Sequence, residues 1–338
     1  MATRVEALPP PDERLTTWQW ARRNLFDGWW NTLLTLLTAA VLLFLASVIL
    51  RWAARAHWSV VVENPRFWLI GLMPVELAWR AYWAGGLVAV AVLLTVVGVR
   101  VRVGPRVLFG LWAGIIMGVI WVMSPVRLDQ IGGLYLTLLL AVVSIALSFP
   151  IGALVGMGRV SRLPAVRGFS ILYIEFIRGI PLITMLLWFF VFVTLLSGDA
   201  ITRVQRAMIG LTIFTSAYVG EIVRAGIQSV PRGQTEAARA VGLSAVQTMR
   251  FIVLPQAVKN MIPSLVGQFI SLFKDTSLTV IIGLSDLVGT GRSLLAITRY
   301  LQDTQEVYVF LLVAYFSFSY LMSYGSRVLE KRLGLGER

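Results

Sequence analysis

The chain has 338 residues, of which 57% are hydrophobic and 14% charged, and its mean hydropathy is +0.78; this balance excludes an ordinary soluble globular domain and predicts an all-α polytopic membrane protein. Cysteine is absent, which excludes a disulfide framework and thiolate chemistry. The formal net charge of +13 would suit nucleic acid, unless the positive residues sort to one side of a bilayer.

Residues 1–30 are polar, include Pro9, Pro10 and Pro11, and set Arg22 and Arg23 among Trp18, Trp20, Trp29 and Trp30, a mixture expected at the headgroup level. The first expected span, Asn31–Leu50, is too long and uniform for a signal-peptide core, so no cleavage is expected. Arg51–Trp83 is a Trp-rich connector with room for an amphipathic helix on the outer surface, and its His57 has no ligand pair nearby to make a metal site. Spans are expected at Ala84–Val99 and Val107–Met123, separated by Arg100, Arg102, Gly104, Pro105 and Arg106, and again at Ile131–Met157. After the basic loop with Arg159, Arg162 and Arg167, the apolar run Phe169–Ser197 is interrupted by Gly179 and Pro181. It reads as an elbow helix at Gly168–Gly179, with Glu175 and Arg178 near the headgroups, followed by a span at Pro181–Ser197. An outer loop, Gly198–Arg206, leads to a span at Ala207–Ile227. Beyond a polar segment, Ile252–Leu284 reads as one full span and a short half-helix, Ser285–Glu306 as an outer loop and Val307–Leu329 as the last of eight spans.

The polar segment, Gly233–Pro255, lies between two apolar runs. Gln234–Val241 is rich in helix formers, and Gly242 suits the left-handed position that ends a helix. Ser244 with Gln247 three residues later is a capping box for a second short helix, expected to run to about Phe251 before Pro255 forbids continuation. Glu236 and Arg239 share a face, while Ala237 and Ala238 add almost no bulk, so another protein's surface can approach the backbone closely.

Glu236, Ala237 and Ala238, then Gly242, Ile252, Leu254 and Pro255 fill every position of what looks like the signature loop of ATP-binding-cassette importer permeases. The resemblance implies a type I importer core in which residues 231–255 form the coupling loop that docks into a groove on a cytoplasmic ATPase subunit. Glu236, Ala237, Ala238, Arg239, Gly242 and Leu243 would make that contact. YIEFIRGIPLI at Tyr173–Ile183, the stretch Ser216–Ser244 and FKDTSL at Phe273–Leu278 resemble the polar amino acid branch of these importers. The N-terminal extension resembles that of the M-type permease subunit of general L-amino acid transporters. The resemblance covers the last five spans, and the domains expected from it are an N-terminal segment (1–30), three extra helices with the outer connector (31–127), the permease core (128–333) and a tail (334–338). It implies as partners ATPase subunits at the inner face, a second permease of different sequence, a solute-binding protein outside, and polar L-amino acids as cargo.

A cytoplasmic coupling loop fixes every other loop, and both termini then lie inside, at the inner membrane of a bacterium. Counted this way, eighteen Lys and Arg fall in the inner segments and nine in the outer ones. Topology and anionic lipid explain the charge, and no nucleic-acid partner is expected.

Two groups are candidates for the substrate path. Glu221 is the acid deepest in an expected span, able to meet a cargo ammonium or to pair with Arg224 three residues on; the two roles are compatible, and Arg178 and Arg224 belong to the inner-face core. At Lys274, Asp275, Thr276 and Ser277, Thr276 or Ser277 is expected to cap a half-helix, Leu278–Leu284, whose positive end would suit a substrate carboxylate near Lys274. The alternative is that Lys274 and Asp275 mark the outer membrane boundary. The chain contains no GxxxxGK[ST], HExxH or CxxC, so ATP is expected to be used by a partner, with no cofactor bound here and no catalytic residue. A different small polar cargo fits the same architecture. An ion-driven carrier would show an inverted repeat and intramembrane acids in both halves, which this sequence lacks.

Overall fold

The computed structural model describes residues 16–332 apart from 102 and 199, together with 334. The chain divides between His57 and Trp58 into two compact units. The first holds α1 (Thr17–Leu25) and α2 (Gly28–Ala53). Thr16 and Gln19 cap α1 reciprocally, and the exposed Trp18 and Trp20 share this short helix with Arg22 and Arg23 in its last turn. No side chain of α2 is buried, as suits a helix apolar all round.

The second unit begins with two short helices, α3 (Ser59–Val62) and α4 (Pro65–Ile70), followed by α5 (Val75–Arg100) and α6 (Pro105–Met123). Helix α5 starts at Val75, nine residues before the expected span, because Pro74 sets its entry and the polar first turns find partners: Arg80 Nη1 donates to Val122 O at 2.9 Å. Trp112 Nε1 donates to Thr95 Oγ1 at 2.9 Å and ties α5 to α6.

The core proper consists of α7 (Gly133–Arg159), α8 (Pro164–Arg178), α9 (Leu182–Ser197) and α10 (Arg203–Gln228), then α11 (Arg232–Ala240), α12 (Ala245–Gln247), α13 (Leu254–Asp275), α14 (Leu287–Leu295) and α15 (Thr304–Arg332). Among the described residues seven helical runs are long and apolar enough to cross a membrane: α2, α5, α6, α7, α10, the stretch from α12 through α13, and α15. The bent pair α8 and α9, joined at 102°, passes the same test only together, which makes the eighth. By itself α9, of 16 residues, reaches ~24 Å, short of the ~30 Å of hydrocarbon, so the expectation that it crosses alone is not matched.

Helix α10 is the central pillar and the most buried of the spanning helices. Thr202 and Gln205 cap it reciprocally. It begins at Arg203, so Arg206 sits inside its first turns rather than in a loop. Small residues let α7 cross it closely: a Cβ on Gly152 would lie 2.6 Å from Ser216 O, and one on Gly156 2.4 Å from Gly220 O. Gly226 makes the equivalent approach to Met261 and Ala257 of α13.

Pro255 does not end the helix as expected. The six residues Thr248–Val253 form a π turn, and Leu254 N–H bonds Met249 O, five residues back. The widened coil makes room for the proline ring, which becomes the second residue of α13.

At the opposite end of the core the connector folds back. Trp68 of α4 packs at a tilt against Phe310 of α15, with ring centroids 4.4 Å apart, and joins Val60, Leu287, Leu294, Tyr300, Val307 and Leu311 in one apolar cluster. Asn64 and Glu63 reach Tyr300, and Glu63 pairs with Arg299 at 2.8 Å. Gly71 and Gly133 have positive φ where the two backbones cross, and a Cβ on either would strike main-chain atoms. The segment expected to be an outer loop, Ser285–Glu306, thus contains the packed helix α14.

Candidate functional site

The polar hairpin projects from the joint between α10 and α13. Gly242 has φ 83°, and Leu243 N–H returns to Ala238 O at 3.1 Å, closing the end of α11. Ser244 accepts from Gln247 N while Gln247 Oε1 accepts from Ser244 N at 2.8 Å, so the capping box starts α12. Gln256 of α13 bonds Gln234 of α11, and Asn260 of α13 bonds Ser229 at the end of α10. Glu236, Ala237 and Arg239 are exposed, Leu243 is half-buried, and Val241 and Val246 are each 77% exposed at the tip. Ala238 is turned inward, 5% exposed, so the close-approach surface is carried by Ala237 and not by both alanines. The result is a rigid knob with charged flanks and an apolar tip.

Glu221 lies in the half of α10 nearer the hairpin and is held from two sides. Arg224 donates to Oε1 from Nε at 2.9 Å and from Nη2 at 2.5 Å, and Arg159 of α7 brings Nη1 to 3.0 Å from Oε2. The latter is an ion contact without hydrogen-bond geometry. Arg159 also donates to Glu175 of α8 at 2.7 Å. Arg178 lies over the Tyr218 ring at 5.3 Å. The cluster therefore joins α7, α8 and α10, with Arg159 as the member that sequence reasoning missed. Nothing in its surroundings in the sequence marks it, since its partners lie 16 and 62 residues away.

At the second candidate group the expected cap is absent. Thr276 has helical φ and ψ, and its hydroxyl donates back to Phe273 O at 2.7 Å instead of accepting from a following N–H. The chain continues from α13 into a 3-10 turn, Thr276–Ile282, ended by Gly283 with φ 76°. No half-helix N-terminus faces Lys274, which is exposed, while Asp275 and Ser277 are half-buried. The cap lies further on: Asp286, fully buried, accepts Gly289 N–H at 2.8 Å and starts α14. The Ser-Asp pair ahead of an apolar run was the signal for it.

Asp286 Oδ2 and the Tyr315 hydroxyl are both buried with no hydrogen bond closed. Burial pushes the Asp286 carboxyl up to about 7, against the opposing pull of the Gly289 and Val288 amides. The folded protein thus keeps a proton that the unfolded chain has released above about 4, and stability falls as pH rises from there to 7, by up to ~4 kcal/mol. The Asp286→Asn variant retains an oxygen for Gly289 and loses this dependence. Melting temperatures between pH 5 and 8 should fall for the wild type and stay level for Asp286→Asn; parallel profiles would refute the assignment.

Residues 148–335 match the family model described as the binding-protein-dependent transport system inner membrane component. An Escherichia coli K12 protein, the inner membrane amino-acid ABC transporter permease YhdY, is 37% identical over 94% of this chain and 93% of its own length. The glutamate/glutamine/aspartate/asparagine transport system permease BztC of Rhodobacter capsulatus is 31% identical over 96% of this chain and 95% of its own. A crystal structure of an amino acid ABC transporter with histidines matches 59% of this chain and 92% of its own with TM-score 0.55 and 32% identity. The inward-facing methionine transporter MetNI, at 22% identity and TM-score 0.50, shares the fold.

Proposed function

Since the chain belongs to the family of binding-protein-dependent transport system inner membrane components, we propose that it is the membrane-spanning permease subunit of an ABC importer for polar L-amino acids. The observation that carries this reading is the rigid hairpin between α10 and α13, with Glu236, Ala237 and Arg239 exposed on it. Cargo class follows from the relatives, whose names specify amino acids, among them glutamate, glutamine, aspartate and asparagine.

In this reading residues 128–333 are the permease core, residues 231–255 its coupling loop, and residues 31–127 an extension. A partner ATPase binds and hydrolyses ATP, this chain is passive, and a second permease of different sequence completes the path. A solute-binding protein delivers cargo from outside, and both chain termini face the cytoplasm. Closure of the ATPase pair moves the hairpin. Because Gln256 ties it to α13, Asn260 ties α13 to the end of α10, and α10 continues into it, that movement passes to the helices as rigid bodies. The paired state of Glu221 gives no support to an ion-driven carrier, which would need a free acid at that depth.

Glu236→Arg reverses the charge on the exposed face of the knob and touches no span. It is expected to reduce uptake at least ~100-fold, the loss when a charge pair worth about 3 kcal/mol is reversed, with membrane insertion unchanged. Undiminished uptake would overturn the coupling role. Because the chain has no cysteine, a single cysteine at Ala237 reports the side directly: labelling from outside intact cells would overturn the orientation.

A further inference from the structure

At the end of the core opposite the hairpin lies an open cavity of about 860 Å³, bounded by the Arg127–Asp129 turn, the start of α7, the last turns of α9, the start of α10 and the Gly283–Ser285 turn. That is within the size range of small-molecule sites. Its wall contains a buried charge with no counter-charge among the described residues. Arg206 is 5% exposed and forms no ion pair among the described residues. Its Nη1 donates to Thr194 Oγ1 and its Nη2 to Gly198 O at 2.8 Å, its guanidinium lies 5.9 Å from the Phe190 ring centroid, and its Nε–H has no partner. Neutral neighbours fix its orientation without neutralising it. A guanidinium removed from water is normally paired with an anion.

Arg203, one turn earlier at the cavity edge, is exposed and has neither ion pair nor hydrogen bond among the described residues. The cavity also holds a carboxylate. Asp129 is paired with Arg127 at 2.9 and 3.1 Å, with side chains 47% and 75% exposed, a surface pair that solvent already weakens. Arg127 occupies two of the four lone-pair sites of Asp129, so the rest remain for a further donor. Two guanidiniums without a counter-charge among the described residues and one open carboxylate in a single cavity are the complement of a zwitterion, and Thr202 and Ser285 add neutral polar groups to the wall.

We propose that this cavity is a receiving subsite for free amino acids, in which Arg203 and Arg206 bind the α-carboxylate and Asp129 the α-ammonium. It rests on the reading of the chain as an amino acid permease and extends it by locating where cargo first meets this subunit. Neither Glu221 nor the Lys274 group takes part. Side-chain identity is not read at these positions, so the subsite accepts L-amino acids broadly, and selection falls to other contacts.

The test uses the assembled transporter in lipid nanodiscs without its binding protein. The twenty L-amino acids are screened for equilibrium binding, and the tightest is compared with its carboxamide and its des-amino form. The free acid should bind at least ~10-fold more tightly than either, the usual effect of losing one charge-assisted contact. Arg203→Gln should reduce the preference over the carboxamide, Arg206 still serving the carboxylate, and Asp129→Asn should abolish the preference over the des-amino form; both positions are exposed, so neither variant disturbs the core. Equal binding of acid and carboxamide, or no binding by any of the twenty, overturns the subsite. A loss of binding-protein affinity in Arg203→Gln with amino acid binding unchanged also overturns it, making the cavity rim a protein-docking surface. Uptake and ATP hydrolysis by the complete wild-type system, measured in parallel, separate the two readings. If both are intact while the subsite fails, the permease function stands; if no ATPase co-purifies and no uptake occurs, that function itself fails.

Discussion

Gly156→Ala should destabilise the protein by ~3 kcal/mol or more, whereas Gly267→Ala, the same change in another helix, should leave it equally stable or raise stability by up to ~1 kcal/mol. The two glycines differ in what a methyl group meets. At Gly156 the added carbon would lie 2.4 Å from Gly220 O and 2.8 Å from Val223 Cβ, so α7 and α10 must separate; at Gly267 nothing lies within 4 Å. Separation is costly because the crossing is a double interlock. Gly152 and Gly156 stand four apart on α7, opposite Ser216 and Gly220, four apart on α10. Between helices in a bilayer little apolar driving force exists, and close van der Waals packing of such small residues supplies most of the association. Melting temperatures from size-exclusion profiles of heated, detergent-solubilised protein compare the two variants. A Gly156→Ala protein that melts with the wild type would show that this crossing does not hold the core together. The same contact bears on transport: α10 leads into the hairpin, so a loosened α10 would move with it without carrying α7.

The parts of this architecture that were legible in the sequence are those whose chemistry is local. Gly242 adopts its left-handed turn and Ser244 and Gln247 cap each other because both features depend on residues within a few positions. The spans were legible because lipid-facing helices must be apolar along their whole length. Misreadings occurred where a local rule was overridden by a neighbour. Thr276 has the side chain of a helix cap, but the same hydroxyl can serve the preceding turn, and it does. Pro255 has the ring that ends helices, and a π turn accommodates it. The added turns of α5 and the whole of α14 depend on partners far along the chain: Val122 accepts from Arg80, and Trp68 covers α14. For Arg206 the sequence indicated a loop, since Arg203 and Arg206 beside an apolar run read as a boundary; only the fold reveals Arg206 as a buried charge.

Glu221→Gln is expected to lower the melting temperature and uptake together, and more than Glu175→Gln does. Glu221 serves two guanidiniums, and its side chain is 22% exposed, beside 19% for Arg159 and 25% for Arg224. Glu175 is 57% exposed and serves Arg159 alone, so its loss should cost no more than ~1 kcal/mol. Neutralising Glu221 strips Arg224 of its paired carboxylate and leaves Arg159 with the exposed Glu175 alone, at a cost of ~2–4 kcal/mol. A double-mutant cycle with Arg159→Gln should then return a coupling of ~1–3 kcal/mol, since Arg159 and Glu221 contact each other directly. The geometry explains why uptake follows stability here. Arg159 ends α7, Glu175 is on the elbow α8 and Glu221 on α10, so the cluster ties α7 and α8 to the hairpin-proximal half of α10, the helix that bears the hairpin. If instead Glu221 met the ammonium of passing cargo, Glu221→Gln would raise KM for uptake while the melting temperature and the cycle stayed unmoved, and the clasp would lose its role. Arg224 donates twice to Oε1, and an ammonium group approaching Oε2 would meet the Arg159 guanidinium already 3.0 Å from it, a like charge that opposes its binding.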